Sequence, residues 1–275
     1  MIARPVTEIR PPSGGLGRPL VDLWTYRRLV RFFVWRDLKV RYRQTVVGVG
    51  WAVFQPLSLM AIFSVFLSGI IDVPGDQIPY WLFVFAGLIP WTLFAQSMAQ
   101  AANSLVNHPD LIRKAAFPKL VLPTAAIGPY LVDFIIGSFV AIAATGIVLG
   151  RLSLSMILLP FVGLLAALTS LAVGIGLSAL NVRYRDVRYA APFLIQTLLF
   201  ATPVVYPISL APERIQNFIY LNPMTGIVEL YRWSLFGGSF PSWTGVITSL
   251  SVGVVLLALS TWYFMRSEAY FADVI

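Results

Sequence analysis

The chain has 275 residues, of which 58% are hydrophobic and only 12% are charged. Soluble domains usually carry about 25% charged residues, so the composition excludes an ordinary soluble protein and predicts an all-α integral membrane protein. The chain has no cysteine, which excludes a disulfide framework, a thiolate nucleophile and a cysteine-based metal site.

The N-terminal region divides into a tail and a basic stretch. Residues 1–24 are rich in Pro and Gly and predict a disordered cytoplasmic tail, while residues 25–275 form a single transmembrane domain. In the stretch RRLVRFFVWRDLKVRYR, which starts at Arg27, Phe32 falls on an apolar helix face and Arg28 and Arg31 fall on the opposite face. This pattern, which ends at Arg36, predicts a helix lying in a membrane interface with its cations toward anionic headgroups.

Apolar runs of membrane-spanning length predict six transmembrane helices. They cover about residues 46–71, 80–102, 120–149, 154–180, 189–207 and 243–264. Seventeen of the 20 Lys and Arg residues fall on one side of this arrangement and three on the other, which predicts that both termini are cytoplasmic. The net charge of +8 is therefore explained by topology better than by binding of nucleic acid.

Residues 208–242 do not fit a seventh span. The segment is interrupted at Asn222-Pro223 and carries Glu229 and Arg232, which a spanning helix would bury. We therefore predict two half-helices that re-enter from the outer face and border a pathway, with Glu229 and Arg232 paired on one helix face.

Side chains in the spans indicate helix packing rather than catalysis. Ser170, Gly174 and Ser178 recur at four-residue spacing, which favours close helix packing within the chain. Asp133 is alone in its span, so a structural hydrogen-bonding role is favoured over a proton relay. His108, the one histidine, is predicted to be a solvated surface residue. There is no GxxxxGK[ST] loop, HExxH motif or Asp-x-Asp pair, so no catalytic, cofactor or metal site is expected in this chain.

Two predicted cytoplasmic loops carry charge. The first, NHPDLIRKAAFP at residues 107–118, predicts a short helix with Asp110 in its first turn, followed by Arg113, Lys114 and Phe117. A solvated connector would not need Leu111, Ile112 and Phe117, so docking into a groove of another protein is favoured. The second loop, NVRYRDVR at residues 181–188, contains Arg185 and Asp186. It fits both a solvated connector and a docking element.

Five segments in this order resemble one known family: VGVGWAVFQPL, HPDLIRKAAFPK, NVRYRDVRYAAPF, TPVVYPISLAPE…YLNPMTGIVELYRW and EAYFADVI. They resemble the permease subunit of ABC-2 type transporters, and more narrowly the exporters of polysaccharide and teichoic acid. The resemblance covers about residues 23–275.

The resemblance implies a homodimer bound to two copies of a separate ATP-binding subunit, which would hold ATP and Mg. It implies that residues 107–118 form the coupling helix, with Arg185 and Asp186 in a second contact, and that Asn222, Pro223, Glu229 and Arg232 belong to an outer gate. It also implies a conduit lined by spans one and five, with these candidates: Trp51, Phe54, Gln55, Phe193, Gln196 and Phe200.

On this basis the chain is expected to be the permease subunit of an ATP-driven exporter of undecaprenyl-linked polysaccharide across the inner or cytoplasmic membrane of a bacterium. An ABC-2 exporter of a drug or small lipid is the alternative. A membrane glycosyltransferase or acyltransferase would be expected to show clustered His, Asp and Glu at one membrane face, whereas the 12 acidic residues here are scattered. A proton-coupled flippase is disfavoured because Asp133 is alone.

Overall fold

The computed structural model describes residues 18–43, 48–71, 78–184 and 186–274, and the regular secondary structure in them is helical. The α-helices in chain order are α1 Arg18–Thr25, α2 Arg27–Arg43, α3 Trp51–Leu67, α4 Tyr80–Asn103, α5 Pro109–Lys114, α6 Val121–Ala125, α7 Gly128–Leu149, α8 Leu159–Arg183, α9 Val187–Ala201, α10 Glu213–Ile219, α11 Pro223–Phe236 and α12 Trp243–Val274.

Five helical segments of the described chain are long and apolar enough to cross a membrane. They are Gly48–Leu67, Tyr80–Asn103, Val121–Leu149, Leu154–Arg183 and Trp243–Phe271. Each corresponds to one predicted span, which confirms the all-α, multi-pass membrane architecture.

The remaining predicted span, residues 189–207, is shorter in the structure. Helix α9 has 15 residues and ends at Ala201, six residues before the predicted end. The reason is Pro203, which lacks an N–H and disfavours helical geometry in the residue before it. Thr202 is accordingly extended, with φ −100° and ψ 137°. The backbone after Ala201 therefore needs hydrogen-bond partners other than its own helix.

The N-terminal region is more ordered than the sequence suggested. Residues 18–25 form α1, where we had predicted the end of a disordered tail; residues 1–17 lie outside the described residues. Helix α2 packs on α6 and α7, and its buried residue Phe33 is 4% exposed. The predicted apolar face is only partly correct, because Phe32, which we placed on it, is 61% exposed.

Helix α4 is the centre of the bundle. It packs against α3, α7, α8 and α11, and 83% of its apolar window is buried. Its contact with α8 is close, since a Cβ added to Gly174 would lie 2.6 Å from Cβ of Ala101. Ser170 and Ser178 are fully buried on the same helix. The small residues of α8 therefore pack within the chain, as predicted from their spacing.

Helices α3 and α9 are at the periphery of the bundle. Helix α3 packs against α4 and α7, whereas α9 packs against α4 and α8. Only 6% of the apolar window containing α3 is buried, and Phe66 of α3 and Phe193 of α9 are 72% and 71% exposed. Each helix therefore presents an apolar face outside the single chain.

Candidate functional site

One end of the bundle, which we call the basic end, carries α2, α5 and the turn between α8 and α9. Helix α5 starts with Pro109, with Asp110 in its first turn, and it has only six residues. Asp110, Arg113 and Lys114 are exposed, and Lys114 Nζ lies 3.1 Å from a carboxylate oxygen of Asp110. The outer surface of α5 is therefore charged.

The apolar residues of this loop face inward. Ile112 is 3% exposed and belongs to a cluster with Phe33 of α2. The ring of Phe117 is 6.3 Å from that of Phe33, and Lys119 Nζ lies 4.7 Å from the centre of the Phe117 ring. Packing within the chain thus accounts for Ile112 and for part of the surface of Phe117, so these side chains do not by themselves require a docking partner, and docking at this loop stays a prediction. The charged surface of α5 is exposed to another protein, and Leu111 and Phe117 are partly exposed beside it.

His108 connects α5 to α2 and is not the solvated surface residue that we predicted. Its Nδ1 lies 2.9 Å from the carbonyl oxygen of Ser104, and its Nε2 lies 3.0 Å from Nη2 of Arg36. These contacts fit a neutral ring in which Nδ1–H donates to Ser104 and Nε2 accepts from Arg36. Arg36 also pairs with Asp37 at 2.8 Å. The position of α5 is therefore linked to that of the interface helix.

A second link joins α2 to α7. Nη2 of Arg41 lies 2.7 Å from Oδ2 of Asp133, and the Tyr42 hydroxyl also donates to this carboxylate. The guanidinium carbon of Arg41 lies 4.5 Å from the centre of the Tyr130 ring. Burial and the Asp133 hydrogen bond raise the pKa of Tyr42 to about 12. Asp133, near the start of α7, is therefore paired, which supports its structural role.

Two more contacts converge on the loop that contains α5. The backbone N–H of Lys119 donates to Oε1 of Glu268 in α12 at 2.7 Å. Burial lowers the pKa of the Lys119 ammonium, and the negative charge of Glu268 acts in the opposite direction. Nη2 of Arg188 donates to Oδ1 of Asn107 at 3.3 Å. Sequence reasoning missed Glu268, since nothing near it in sequence indicates the contact.

The second charged loop lies beside α5, as the contact between Arg188 and Asn107 shows. Asp186 precedes the first residue of α9 and is exposed. Arg185, the other residue that we predicted as a second contact, lies outside the described residues. The structure therefore brings Asp186 and the α5 surface to the same end of the bundle.

At the opposite end, α10 and α11 form a helical hairpin, as the half-helix prediction requires. Asn222 caps α11 by accepting from the Met224 N–H at 3.0 Å, and its amide donates to the Thr202 hydroxyl at 2.7 Å. Pro223 at the turn lies against Gly253, which is ten residues beyond the first residue of α12. At 1.5 Å per residue, the turn lies about 15 Å along α12.

The pair that we predicted on α11 is present and has further partners. Nη1 of Arg232 lies 3.4 Å from Oε1 of Glu229, and Arg232 is 5% exposed. Its guanidinium also donates to the carbonyl oxygens of Phe83 at 3.3 Å and Pro203 at 2.7 Å, and to that of Val204. Arg232 thus satisfies the backbone that the early end of α9 leaves without helical partners.

The conduit candidates do not form one cluster within a chain. Trp51 and Phe54 are in edge-to-face contact at 5.3 Å, and Gln55 lines a groove toward α4 and α7. The candidates on α9 share a helix that packs on α4 and α8 and are exposed: Phe193, Gln196 and Phe200. The two sets therefore lie on separate exposed faces.

The family model that matches the chain and the relatives that resemble it agree with each other. Residues 28–236 match the family described as ABC-2 type transporter. The chain is 29% identical over 255 residues to the O-antigen export system permease protein RfbA of Myxococcus xanthus, which covers 92% of this chain and 97% of that protein. It is 27% identical over 242 residues to RfbA of Klebsiella pneumoniae, covering 87% and 92%. It is 20% identical over 215 residues to the polysialic acid transport protein KpsM of Escherichia coli, covering 74% and 79%.

Proposed function

Because the chain belongs to the ABC-2 type transporter family, we propose that it is the permease subunit of an ATP-driven exporter of undecaprenyl-linked polysaccharide. The observation that carries this proposal is the similarity to an O-antigen export permease over 97% of that protein's length. A match of this length includes the α5 loop, the helices α10 and α11 and the spans.

The energy would come from a separate ATP-binding subunit that holds ATP and Mg and docks at the basic end. The exposed charges of Asp110, Arg113 and Lys114 suit a small interface that is specified by charge complementarity. The contacts of this loop with Arg36 and Glu268 would transmit a movement of α5 to α2 and α12. Asp186 lies at the same end and would contribute a second contact.

The functional unit would be a homodimer. Helices α3 and α9 leave apolar faces outside the chain, and a second copy would cover both if α3 of one subunit faced α9 of the other. That arrangement would bring Trp51 and Phe54 opposite Phe193 and Phe200 of the second copy and so complete the conduit. Because lipid offers no hydrophobic driving force between helices, this contact would depend on van der Waals packing between the two helix faces.

The protein would reside in the inner or cytoplasmic membrane of a bacterium, with the basic end and both termini in the cytoplasm. The bias of 17 basic residues against three supports this orientation. The hairpin of α10 and α11 would then face outward, where Asn222, Pro223, Glu229 and Arg232 would gate the exit of the glycan.

Docking is tested by co-purification of the chain with its ATP-binding subunit. Arg113→Glu should reduce the yield of the complex on the order of ten-fold or more, because like charges would meet across the interface. Arg151→Glu is the matched control, since Arg151 is an exposed arginine at the opposite end. If both variants co-purified with the ATP-binding subunit in the same amount as the wild-type chain, docking at α5 would be refuted.

A further inference from the structure

Helix α9 is followed by a buried, irregular segment, residues 202–205, which we call the anchor segment. Thr202 and Val204 are fully buried, and Val205 is 5% exposed. Because the helix has ended, the carbonyl groups of this segment have no helical partners, and other elements must supply hydrogen-bond donors. Side chains of α4 and of the hairpin of α10 and α11 supply them.

Each residue of the anchor segment accepts a hydrogen bond from one of these side chains. The Asn222 amide at the turn of the hairpin donates to the Thr202 hydroxyl at 2.7 Å. The Tyr80 hydroxyl at the start of α4 donates to the carbonyl oxygen of Val205 at 2.8 Å. Between them, Arg232 donates to the two intervening carbonyl oxygens. The outer end of α9 is therefore tied to two other helices.

Gly87 of α4 allows the anchor segment and Arg232 to approach this closely. A Cβ added there would lie 2.7 Å from the carbonyl oxygen of Val204 and 2.6 Å from Nη2 of Arg232, closer than real Cβ contacts come. One turn earlier on α4, the centre of the Phe83 ring lies 3.5 Å from the guanidinium carbon. Since α4 is the most buried of the five candidate spans, it gives the anchor segment a fixed support.

Helix α9 itself is held much more loosely. Of its 15 described residues, Ala191 alone is buried, and the side chain of Tyr189 near its start is 79% exposed. At this end the exposed Arg188 donates to Oδ1 of Asn107 at 3.3 Å, beside α5. One end of α9 is thus fixed in the core, whereas the other end is exposed next to the charged loop.

From these observations we infer that α9 pivots about the anchor segment, so that the conduit widens first at the basic end; this inference rests on the proposed function. Hinges are typically residues at the ends of elements, and Thr202 is such a residue. Its hydroxyl accepts from Asn222 and donates to the carbonyl oxygen of Leu198 in the last turn of α9 at 2.6 Å. A movement of α5 would reach the free end of α9 through Asn107 and Arg188, while the outer end of the conduit kept its width.

Spin-label distances between the two copies of the homodimer test the pivot. The chain has no cysteine, so Tyr189→Cys, Thr197→Cys and Ala201→Cys each introduce one exposed label site. The complex, with the cysteines of its ATP-binding subunit replaced and its hydrolysis blocked by mutation, is measured in nanodiscs with and without ATP. The three sites lie about 20, 7.5 and 1.5 Å along the helix from Thr202. ATP should therefore change the distance at 189 about 2.6 times as much as that at 197, and leave the distance at 201 unchanged.

Other patterns of movement would refute the pivot. Equal changes at all three sites would mean that α9 moves as a whole. A change at 189 alone would mean that the helix bends at Pro192, which removes one N–H from the interior of α9. No change at any site, in a complex that exports glycan when hydrolysis is restored, would refute the pivot as well. The predicted gradient in a complex that exports no glycan would leave the pivot standing and refute the proposed function.

A matched pair of variants separates the anchor from general stability. Tyr80→Phe and Tyr231→Phe each lose one buried hydroxyl hydrogen bond, but the Tyr231 hydroxyl bonds to Ser138 of α7 and not to the anchor segment. Combined with Ala201→Cys, Tyr80→Phe should allow ATP to change the distance at 201, whereas Tyr231→Phe should leave it constant. The same response in both variants would refute the anchoring role of residues 202–205.

Discussion

Replacement of Arg232 should destabilise the protein far more than replacement of Glu229. Arg232 is 5% exposed and serves three backbone carbonyls in addition to Glu229, so Arg232→Leu leaves all four acceptors without this donor. Each lost hydrogen bond to a charged group costs roughly 1.5–3 kcal/mol, and breaking a buried ion pair costs about 3–5 kcal/mol. The total exceeds about 5 kcal/mol even if the losses are only partly additive, which is severe for any protein.

Glu229→Leu breaks the same ion pair but leaves Arg232 with its three carbonyl partners, so the expected cost is about 3 kcal/mol, the lower end for a broken buried pair and less than that of Arg232→Leu. The double variant Glu229→Leu/Arg232→Leu should stay close to Arg232→Leu, because removal of the carboxylate relieves one buried charge but leaves the carbonyls of Pro203 and Val204 without this donor. This ordering differs from that of an isolated ion pair, for which an apolar double replacement is the mildest change.

The assay is thermal unfolding of the purified protein in detergent, combined with the yield of folded protein from membranes. Arg214→Leu is the matched control, since Arg214 is an exposed arginine on the neighbouring helix α10. A Glu229→Leu variant as unstable as Arg232→Leu would refute the reasoning. Wild-type stability of the double variant would refute it as well, because the backbone carbonyls would then not need Arg232.

Three further predictions concern topology, packing and the α2–α5 link. Single cysteines at Asp76 or Ser239 should react with an impermeant thiol reagent on intact cells and those at Arg113 or Arg185 should not; labelling of position 113 from outside would overturn the orientation. Gly174→Ala should cost about 1–3 kcal/mol in thermal unfolding, because its Cβ would lie 2.6 Å from Ala101, whereas Gly69→Ala has open space and should be near neutral; equal stabilities would contradict the α4–α8 contact. His108→Leu removes the acceptor for Arg36 and should lower ATPase-coupled export several-fold with the fold retained, while His108→Gln should keep part of it; unchanged export by His108→Leu would contradict the link.

Much of the architecture could be predicted from the sequence because membrane insertion depends on properties that are local in sequence. Apolar runs of sufficient length and the placement of Lys and Arg indicate the spans and their orientation. The sequence also indicates the early end of α9, since Pro203 disfavours helix at Thr202, although we extended the predicted span to residue 207.

Contacts between distant segments could not be predicted in the same way. Arg232 is 149 residues from Phe83, and Glu268 is equally far from Lys119, so no local pattern indicates either contact. Phe117 shows a related difficulty, because an apolar side chain in a charged loop indicates a hydrophobic partner but not which chain supplies it. Here the partner is Phe33 of the same chain.

The most direct test of the central claim is transport by the purified complex in proteoliposomes. The chain and its ATP-binding subunit are reconstituted with lipid-linked glycan, and a glycosidase on the receiving side detects translocated sugar. The account predicts translocation that requires ATP, Mg and both subunits, and that is lost when the ATPase is inactivated. ATP-dependent translocation of a drug or small lipid without any movement of glycan would contradict it.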